Sequence, residues 1–395
     1  MTVFEPLVSS SSSSAEDLTR DGWVKGMHIL ILNAVKGWSG IGSHSIELAL
    51  ALRERGHNVI LCSTEVNIKH AAEKFDLPIR EIKLKNLADI RAVLKIIKVV
   101  LKEDIKVIIT NLGKEYWPAT FVAKLLRLKI IVVRHQTNRL KRITCWLLAR
   151  HVDRVVAVSN AVTGALIAGG IPVEKIDVIH NAINLERFNP FAIDRDEVRR
   201  ELGLGNNDIV VGTAGRLYPE KGGLELLYAI HGLIREYPSL KLMFVGEGPY
   251  RVTLEREAQR LSINDSVIFT GLRKDMERMY AAMDIFVLPS TCKEAFGMVL
   301  IEAMAMIKPV IATSVGGILE IITSETDGIL IPAGDHAAIA NAIARVINDN
   351  ALSKRIALEG RRTVQYKFSE KAMGDGFEKV LREIFNPSLR GDNCL

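Results

Sequence analysis

The sequence predicts an α/β protein made of two successive Rossmann-like halves, each a parallel sheet with helices on both faces. Short apolar runs alternate with segments of helical composition along nearly the whole chain, the pattern left by strands joined through crossover helices. The runs form two series with a proline-bearing stretch between them. A length of 395 residues with 48% hydrophobic and 25% charged residues supplies enough apolar surface for two cores.

In the first series the expected strands are Met27–Leu32, Asn58–Leu61, Ile79–Ile82, Val107–Thr110, Lys129–Val133, Arg154–Val158 and Asp177–Ile179. In the second they are Ile209–Thr213, Leu240–Val245, Val267–Thr270, Ile285–Leu288, Pro309–Ala312 and Gly328–Ile331. A strand covered on both faces has no solvent side to demand alternation, hence unbroken runs such as Ile285-Phe286-Val287-Leu288. Between the series, Asn184 to Pro190 ends in Phe188-Asn189-Pro190, which sets the boundary between a first domain, 27–188, and a second, 189–368. Residues 369–395 hold a last helical pattern, about Ser369 to Ile384, followed by a tail. Residues 1–26, with the serine run Ser9 to Ser14, are expected to form a disordered extension.

Composition narrows the function. The extension lacks a basic start followed by an apolar core, and no apolar stretch approaches the roughly 18–20 residues of a membrane-spanning helix, so a cytoplasmic chain is expected. Cys62, Cys145, Cys292 and Cys394 are scattered, without a Cys-x-x-Cys pair or a histidine cluster, which points to reduced thiols and no structural metal. The net charge of +6 is concentrated: Lys69 to Arg154 holds 20 Lys and Arg against 8 Asp and Glu. Aromatic residues are sparse there and no nucleic-acid module is recognisable, so an anionic membrane surface or an acidic acceptor is preferred over nucleic acid. Arg139 to Arg150 reads as one helix with cations opposite apolar residues, its Trp146, Leu147 and Leu148 facing either a membrane or the core.

The candidate chemistry sits in turns that follow strands. Gly37-Trp38-Ser39-Gly40-Ile41-Gly42 leads into a helix expected over Ser43 to Arg55, and its glycines let backbone N–H groups approach an anion, Gly40 and Gly42 being the candidate contacts. The turn is not Gly-x-Gly-x-x-Gly, and Cys62-Ser63-Thr64 stands where a dinucleotide fold would place an acidic ribose partner, so a dinucleotide cofactor is disfavoured. After the first strand of the second half, Gly215-Arg216-Leu217-Tyr218-Pro219-Glu220-Lys221-Gly222-Gly223 sets a planar guanidinium and a compact ammonium around a prolyl turn, where both can meet one diphosphate. The stretch Ser290 to Glu302 puts Glu294 in a loop and Glu302 in the helix after it. Gly297 falls at the helix start, where free amides and the positive dipole end suit a phosphate. Gly246-Glu247-Gly248-Pro249 and Gly271-Leu272-Arg273-Lys274 follow two further strands. In the first half, His135 lies just past a strand, at the carboxyl edge where open α/β sheets bind ligands, and Lys114, Glu115, Tyr116 and Trp117 follow another strand end as an acceptor entrance.

The Arg216 to Gly223 wording resembles the Gly-Arg-x4-Lys-Gly pattern, and Glu294 with Glu302 the Glu-x7-Glu signature, of the retaining family 4 glycosyltransferases of the GT-B fold, the glycosyl transferases group 1. The resemblance covers about Met27 to Ile384 and implies two Rossmann-like domains facing a central cleft, with the last helix crossing back onto the first domain. It implies a sugar moved from a nucleotide diphosphate sugar, a substrate and not a cofactor, to a hydroxyl of a lipid-linked or cell-envelope saccharide. Arg216 and Lys221 would neutralise the leaving diphosphate without a metal; Glu294 would position donor-sugar hydroxyls, and His135 would contact the transferred sugar. Gly40, Gly42, Gly215, Phe296, Gly297, Met298 and Val299 would line the donor, the backbone of Leu272 and Arg273 would read the base edge, and Glu302 would hold the ribose. A sugar-nucleotide epimerase of the same architecture and a catalytically silent sugar-nucleotide-binding protein are the rival readings; the two cation and carboxylate pairs favour transfer.

Overall fold

The computed structural model describes residues 26–390 except 36, 38–39 and 85–88, so the expected N-terminal extension up to residue 25 and the tail from 391 lie outside the described residues. The first unit runs β1 (His28–Leu32), α1 (Gly40–Glu54), β2 (Asn58–Cys62), α2 (Val66–Lys74), β3 (Ile79–Arg80), α3 (Ile90–Lys102), β4 (Val107–Thr110), α4 (Gly113–Leu125), β5 (Lys129–Arg134), α5 (Arg142–His151), β6 (Arg154–Ala157), α6 (Asn160–Ala168) and β7 (Ile176–Val178). The second runs α7 (Arg195–Glu201), β8 (Ile209–Ala214), α8 (Gly223–Leu233), β9 (Leu240–Val245), α9 (Arg251–Arg260), β10 (Val267–Gly271), α10 (Met276–Ala282), β11 (Ile285–Leu288), α11 (Met298–Ala305), β12 (Val310–Thr313), α12 (Ile318–Ile321), β13 (Ile329–Ile331), α13 (His336–Asn348) and α14 (Asn350–Lys367). A last helix, α15 (Glu370–Phe385), follows.

Both sheets are parallel, in the orders β3-β2-β1-β4-β5-β6-β7 and β10-β9-β8-β11-β12-β13. Strand order reverses between β1 and β4 in one and between β8 and β11 in the other. Loops that diverge at such a point leave a crevice at the carboxyl edge, and all the candidate turns lie there. Every expected strand forms, most within a residue of its expected ends; Ile79–Ile82 is cut to Ile79–Arg80 because this edge strand is paired only with Leu61 and Cys62. The helix expected from Ser43 starts at Gly40. The buried Asn33 amide donates to Ile41 O (3.1 Å) and Ser45 Oγ (2.6 Å), pulling the glycine turn into the helix.

The chain crosses between the units twice, at 183–190 and at 368–369, and the two crossings touch: Ile183 N–H donates to Phe368 O at 2.9 Å. His180 stacks on Phe296 (ring centroids 5.6 Å apart), and the Phe368 ring meets both edge-on, which makes an aromatic joint from all three parts of the chain. Glu320 of α12 adds a polar latch: its carboxylate accepts the N–H groups of Asn160 (2.9 Å) and Ala161 (3.2 Å) at the start of α6, and His180 Nε2 at 3.0 Å. α15 returns to the first unit, burying Phe377 and Leu381, with Arg55 Nη2 on Asp375 Oδ1 (2.5 Å) and His57 Nε2 on Glu378 Oε2 (2.8 Å).

At the first residue of α15, burial pushes the Glu370 carboxyl up to about 7, Asn184 opposing and Glu54 and Glu186 adding to the rise. A folded-state pKa above the unfolded one gives stability that is full below about 4.5 and lost as pH rises through about 7. Glu370→Gln should abolish that share of the loss, making the variant more stable than the parent by about 1 kcal/mol at pH 8 after allowance for solvent screening. Urea denaturation at pH 5 and pH 8 checks this; an unchanged pH slope would refute it.

Candidate functional site

The second unit contributes three loops locked to one another by close backbone approach. Gly222 has φ +72°, and a Cβ there would lie 1.8 Å from Pro289 O, so the short 3-10 turn Pro219–Lys221 seats directly on the end of β11. Thr291 N–H completes the seat by donating to Glu220 O at 3.0 Å. Gly246 (φ +139°) is likewise pressed on the backbone of Gly215, its missing Cβ 1.9 Å from the Gly215 carbonyl oxygen.

This seating brings Lys221 and Glu294 together, though 73 residues separate them: Lys221 Nζ donates to Glu294 Oε1, which also accepts Ser290 Oγ–H at 2.6 Å. An ammonium has three N–H groups and Glu294 takes one. Arg216 is exposed, lies over the Tyr218 ring at 5.0 Å, and forms no ion pair among the described residues. The loop bearing Glu294 is braced from behind by Gly316 and Gly317, whose Cβ atoms would fall 2.2 Å from Glu294 O and 2.5 Å from Ala295 O, with Gly317 N–H donating to Glu294 O at 2.9 Å. The sequence reading missed this brace, although a Gly-Gly pair just after a buried strand is the same signal that marked the other turns.

Gly297 caps α11 with φ +118°, a conformation that needs glycine; Leu300 N–H turns back to Gly297 O at 2.9 Å, and among the described residues the Met298 and Val299 N–H groups at this helix start have no partner. Across the cleft α1 starts at Gly40, whose added Cβ would stand 3.2 Å from Met298 Cγ; two helix starts thus face each other, with Gly42 buried in the first turn of α1. Of the other expected donor contacts, Val299 is half-buried at the same helix start and Leu272 is 75% exposed. The Arg273 guanidinium is held bidentate by Asp275 (2.9 and 2.6 Å), which leaves its backbone for recognition. Two further expected contacts are partly committed elsewhere. Phe296 is buried in the aromatic joint, so only its backbone borders the cleft. Glu302 is half-buried and accepts Tyr280 O–H at 2.7 Å, burial raising its pKa, so one of its oxygens is already committed.

In the first unit His135 Nε2–H donates to Asn111 Oδ1 at 3.1 Å, the amide being oriented by its own bond to Leu32 O (3.0 Å). Nδ1 is therefore the unprotonated nitrogen. Burial, followed by the neighbouring His44 and Arg134, holds the His135 pKa well below its usual value, and burial lowers His44 to about 4, so this edge-to-face pair is neutral at pH 7. The expected acceptor entrance is corrected at two positions. Tyr116 is fully buried with its O–H on Val133 O (3.2 Å), and Glu115 is fully buried because its carboxylate ties together the ends of β1 and β4. Glu115 Oε1 accepts Ala34 N–H (2.6 Å), and Oε2 accepts those of Asn111 (2.8 Å) and Leu112 (3.0 Å).

The model of the glycosyl transferases group 1 matches residues 194–363, and that of Glycosyltransferase Family 4 matches 38–187. The putative glycosyltransferase EpsD of Bacillus subtilis is 30% identical over 331 residues, covering 79% of this chain and 85% of that protein. The capsular polysaccharide biosynthesis glycosyltransferase CapM of Staphylococcus aureus is 29% identical over 59% of this chain and 62% of its own length. Among solved structures, that of Anabaena HepE in complex with UDP-glucose superposes with a TM-score of 0.80 at 25% identity, covering 90% of this chain and 99% of that one.

Glu115→Gln would turn an amide N–H2 group toward backbone N–H groups that now share a carboxylate. Burial pushes the Glu115 carboxyl up to about 7 and so tolerates a neutral group there, but an amide can accept on one side only and would leave either Ala34 N–H or those of Asn111 and Leu112 buried without an acceptor. The expected loss is about 2–4 kcal/mol of stability, read by urea denaturation. A variant as stable as the parent would contradict the tie.

Proposed function

We propose that this chain, which belongs to the group 1, family 4 glycosyltransferases, transfers a sugar from a nucleotide diphosphate sugar to a hydroxyl of a lipid-linked or cell-envelope saccharide, with retained anomeric configuration. The observation that carries the reading is the meeting of Lys221 with Glu294 beside the unpaired Arg216, at the free amides of α11 and opposite the start of α1. Cations and oriented amides gather where a diphosphate would acquire charge as it leaves. Glu294 offers a second oxygen without a partner among the described residues, suited to a donor-sugar hydroxyl.

In the proposed step the bond from the anomeric carbon to the donor phosphate oxygen breaks, and one to the acceptor oxygen forms on the same face. The acceptor proton goes to the departing phosphate. Arg216 and Lys221 stabilise the growing phosphate charge, which is the role a metal would otherwise fill. Glu294, already bonded to Lys221 and Ser290, positions the sugar and is not a nucleophile of the two-displacement kind. Neutral His135 presents Nδ1 to a sugar hydroxyl. The backbone of Leu272 and Arg273 is assigned to the base and the remaining oxygen of Glu302 to the ribose. Support for an envelope acceptor comes from CapM, named for capsular polysaccharide biosynthesis. Among the described residues no helix is long and apolar enough to cross a membrane, and we place the enzyme at the inner membrane face, where such acceptors are met.

Arg216→Ala and Lys221→Ala should each slow transfer about a hundredfold, on the order of 3 kcal/mol of barrier, without unfolding the protein. Nucleotide release from a donor panel with and without acceptors measures this; near-parental turnover at saturating donor in both variants would sink the assignment. EDTA should leave the rate within about twofold. Loss on chelation restored by magnesium would show that the two cations do not suffice.

A further inference from the structure

The crossover helices α3, α4 and α5 lie side by side on one outer face of the first sheet, and that face is apolar where it should be polar. On α3, Ala92, Ile96 and Val100 are buried against the sheet. Ile90, Leu94 and Leu101, at i, i+4 and i+11, form a second apolar stripe, exposed by 73%, 61% and 66%. Arg91, Lys95, Lys98 and Lys102 fill the adjoining stripe. α4 adds Phe121 and Leu125, each more than half exposed, and α5 adds Ile143 and Trp146. The expectation for α5 thus divides, with Leu147 and Leu148 in the core and Trp146 outside. Scattered exposed leucines need no explanation, but seven exposed apolar side chains gathered on three helices packed in a row mark a contact surface.

Charge selects the partner. The three helices carry eight Lys and Arg against one acid, and that acid, Glu115, is buried. The α3 cations and Lys124 and Arg142 enter no ion pair among the described residues. Apolar side chains bordered by unpaired cations, with a tryptophan at the rim, match an anionic bilayer: lipid headgroups neutralise the cations while the apolar stripe enters the acyl boundary. A protein partner would have to supply acidic and apolar surface in the same array.

We infer that the α3–α5 face docks on an anionic lipid surface. This rests on the transferase reading only for its purpose. Ile143, at the start of α5, follows His135 by eight residues on the carboxyl-edge side of the sheet, so docking would set the acceptor side of the cleft beside the headgroups, where a lipid-linked saccharide projects.

Co-sedimentation of the full chain with phosphatidylcholine vesicles, with and without about a third phosphatidylglycerol, tests this at low and high salt. Binding should need the anionic lipid and fade as salt rises. Lys98→Glu with Lys102→Glu should cut partitioning about tenfold or more, and Leu94→Gln with Leu101→Gln should also weaken it. Both double variants should still release nucleotide from donor without vesicles, which keeps folding and the donor site in view. No binding to anionic vesicles at low salt, or binding by both variants equal to the parent's, would overturn the inference. So would a stable dimer of the parent that the Leu94→Gln, Leu101→Gln variant dissolves, since a second copy would then own the face. Vesicle binding without nucleotide release would uphold docking and overturn the transferase reading.

Discussion

One carboxylate latches the two units to each other. Glu320 belongs to the second sheet's layer, yet its partners, two amides at the start of α6 and His180, belong to the first. Burial alone would raise its pKa, but His180 and the two amides outweigh that and hold it below the usual value, so the latch is made by the charged form. Ser159 joins it by serving both sides: its Oγ caps α6 through Val162 N–H (3.2 Å) and donates across to Ala295 O at 2.5 Å. The segment that carries Glu320 also carries Gly316 and Gly317, which brace the loop of Glu294. The latch between the units and the brace behind the Glu294 loop therefore share one run of about five residues. Gly40 meets Met298 across the cleft that this joint spans.

The order of strands and the turns after them could be read from the sequence because both are local. Runs such as Ile285 to Leu288 need burial on two faces wherever they are, and glycines at Gly215, Gly222 and Gly297 announce backbone conformations that other residues avoid. Arg216, Lys221 and Glu294 were named from such turns, and the fold brings Lys221 and Glu294 into contact. Glu115 and Tyr116 were misjudged for a common reason. Each follows a strand end where an entrance was expected but is spent on a partner far away: Glu115 on Ala34, Tyr116 on Val133. Glu320 left no local trace at all, since its partners lie 140 to 160 residues earlier.

The protein treats its cations in two ways. Arg273 is neutralised in place by Asp275, and Arg187 by Glu277 at 2.9 Å, so both act as struts. Arg216 has no carboxylate partner among the described residues and lies over the Tyr218 face. A paired guanidinium must exchange one carboxylate for another to bind an anion, and it gains little by doing so. An unpaired one gains in full, so binding strength is concentrated where the loops have left charge exposed.

The return of α15 to the first unit has a consequence for how the protein is made. Arg55, near the end of α1, donates to Lys371 O at 2.8 Å across 316 residues of chain. A ribosome adding about 5–20 residues per second needs tens of seconds to cover that span. For that time the half of the molecule made first waits with the flank of α1 uncovered, while the half made later can complete its own sheet and core. Chain order and order of completion are therefore opposed, and a chain that stops just short of its last helix leaves its damage in the domain translated first.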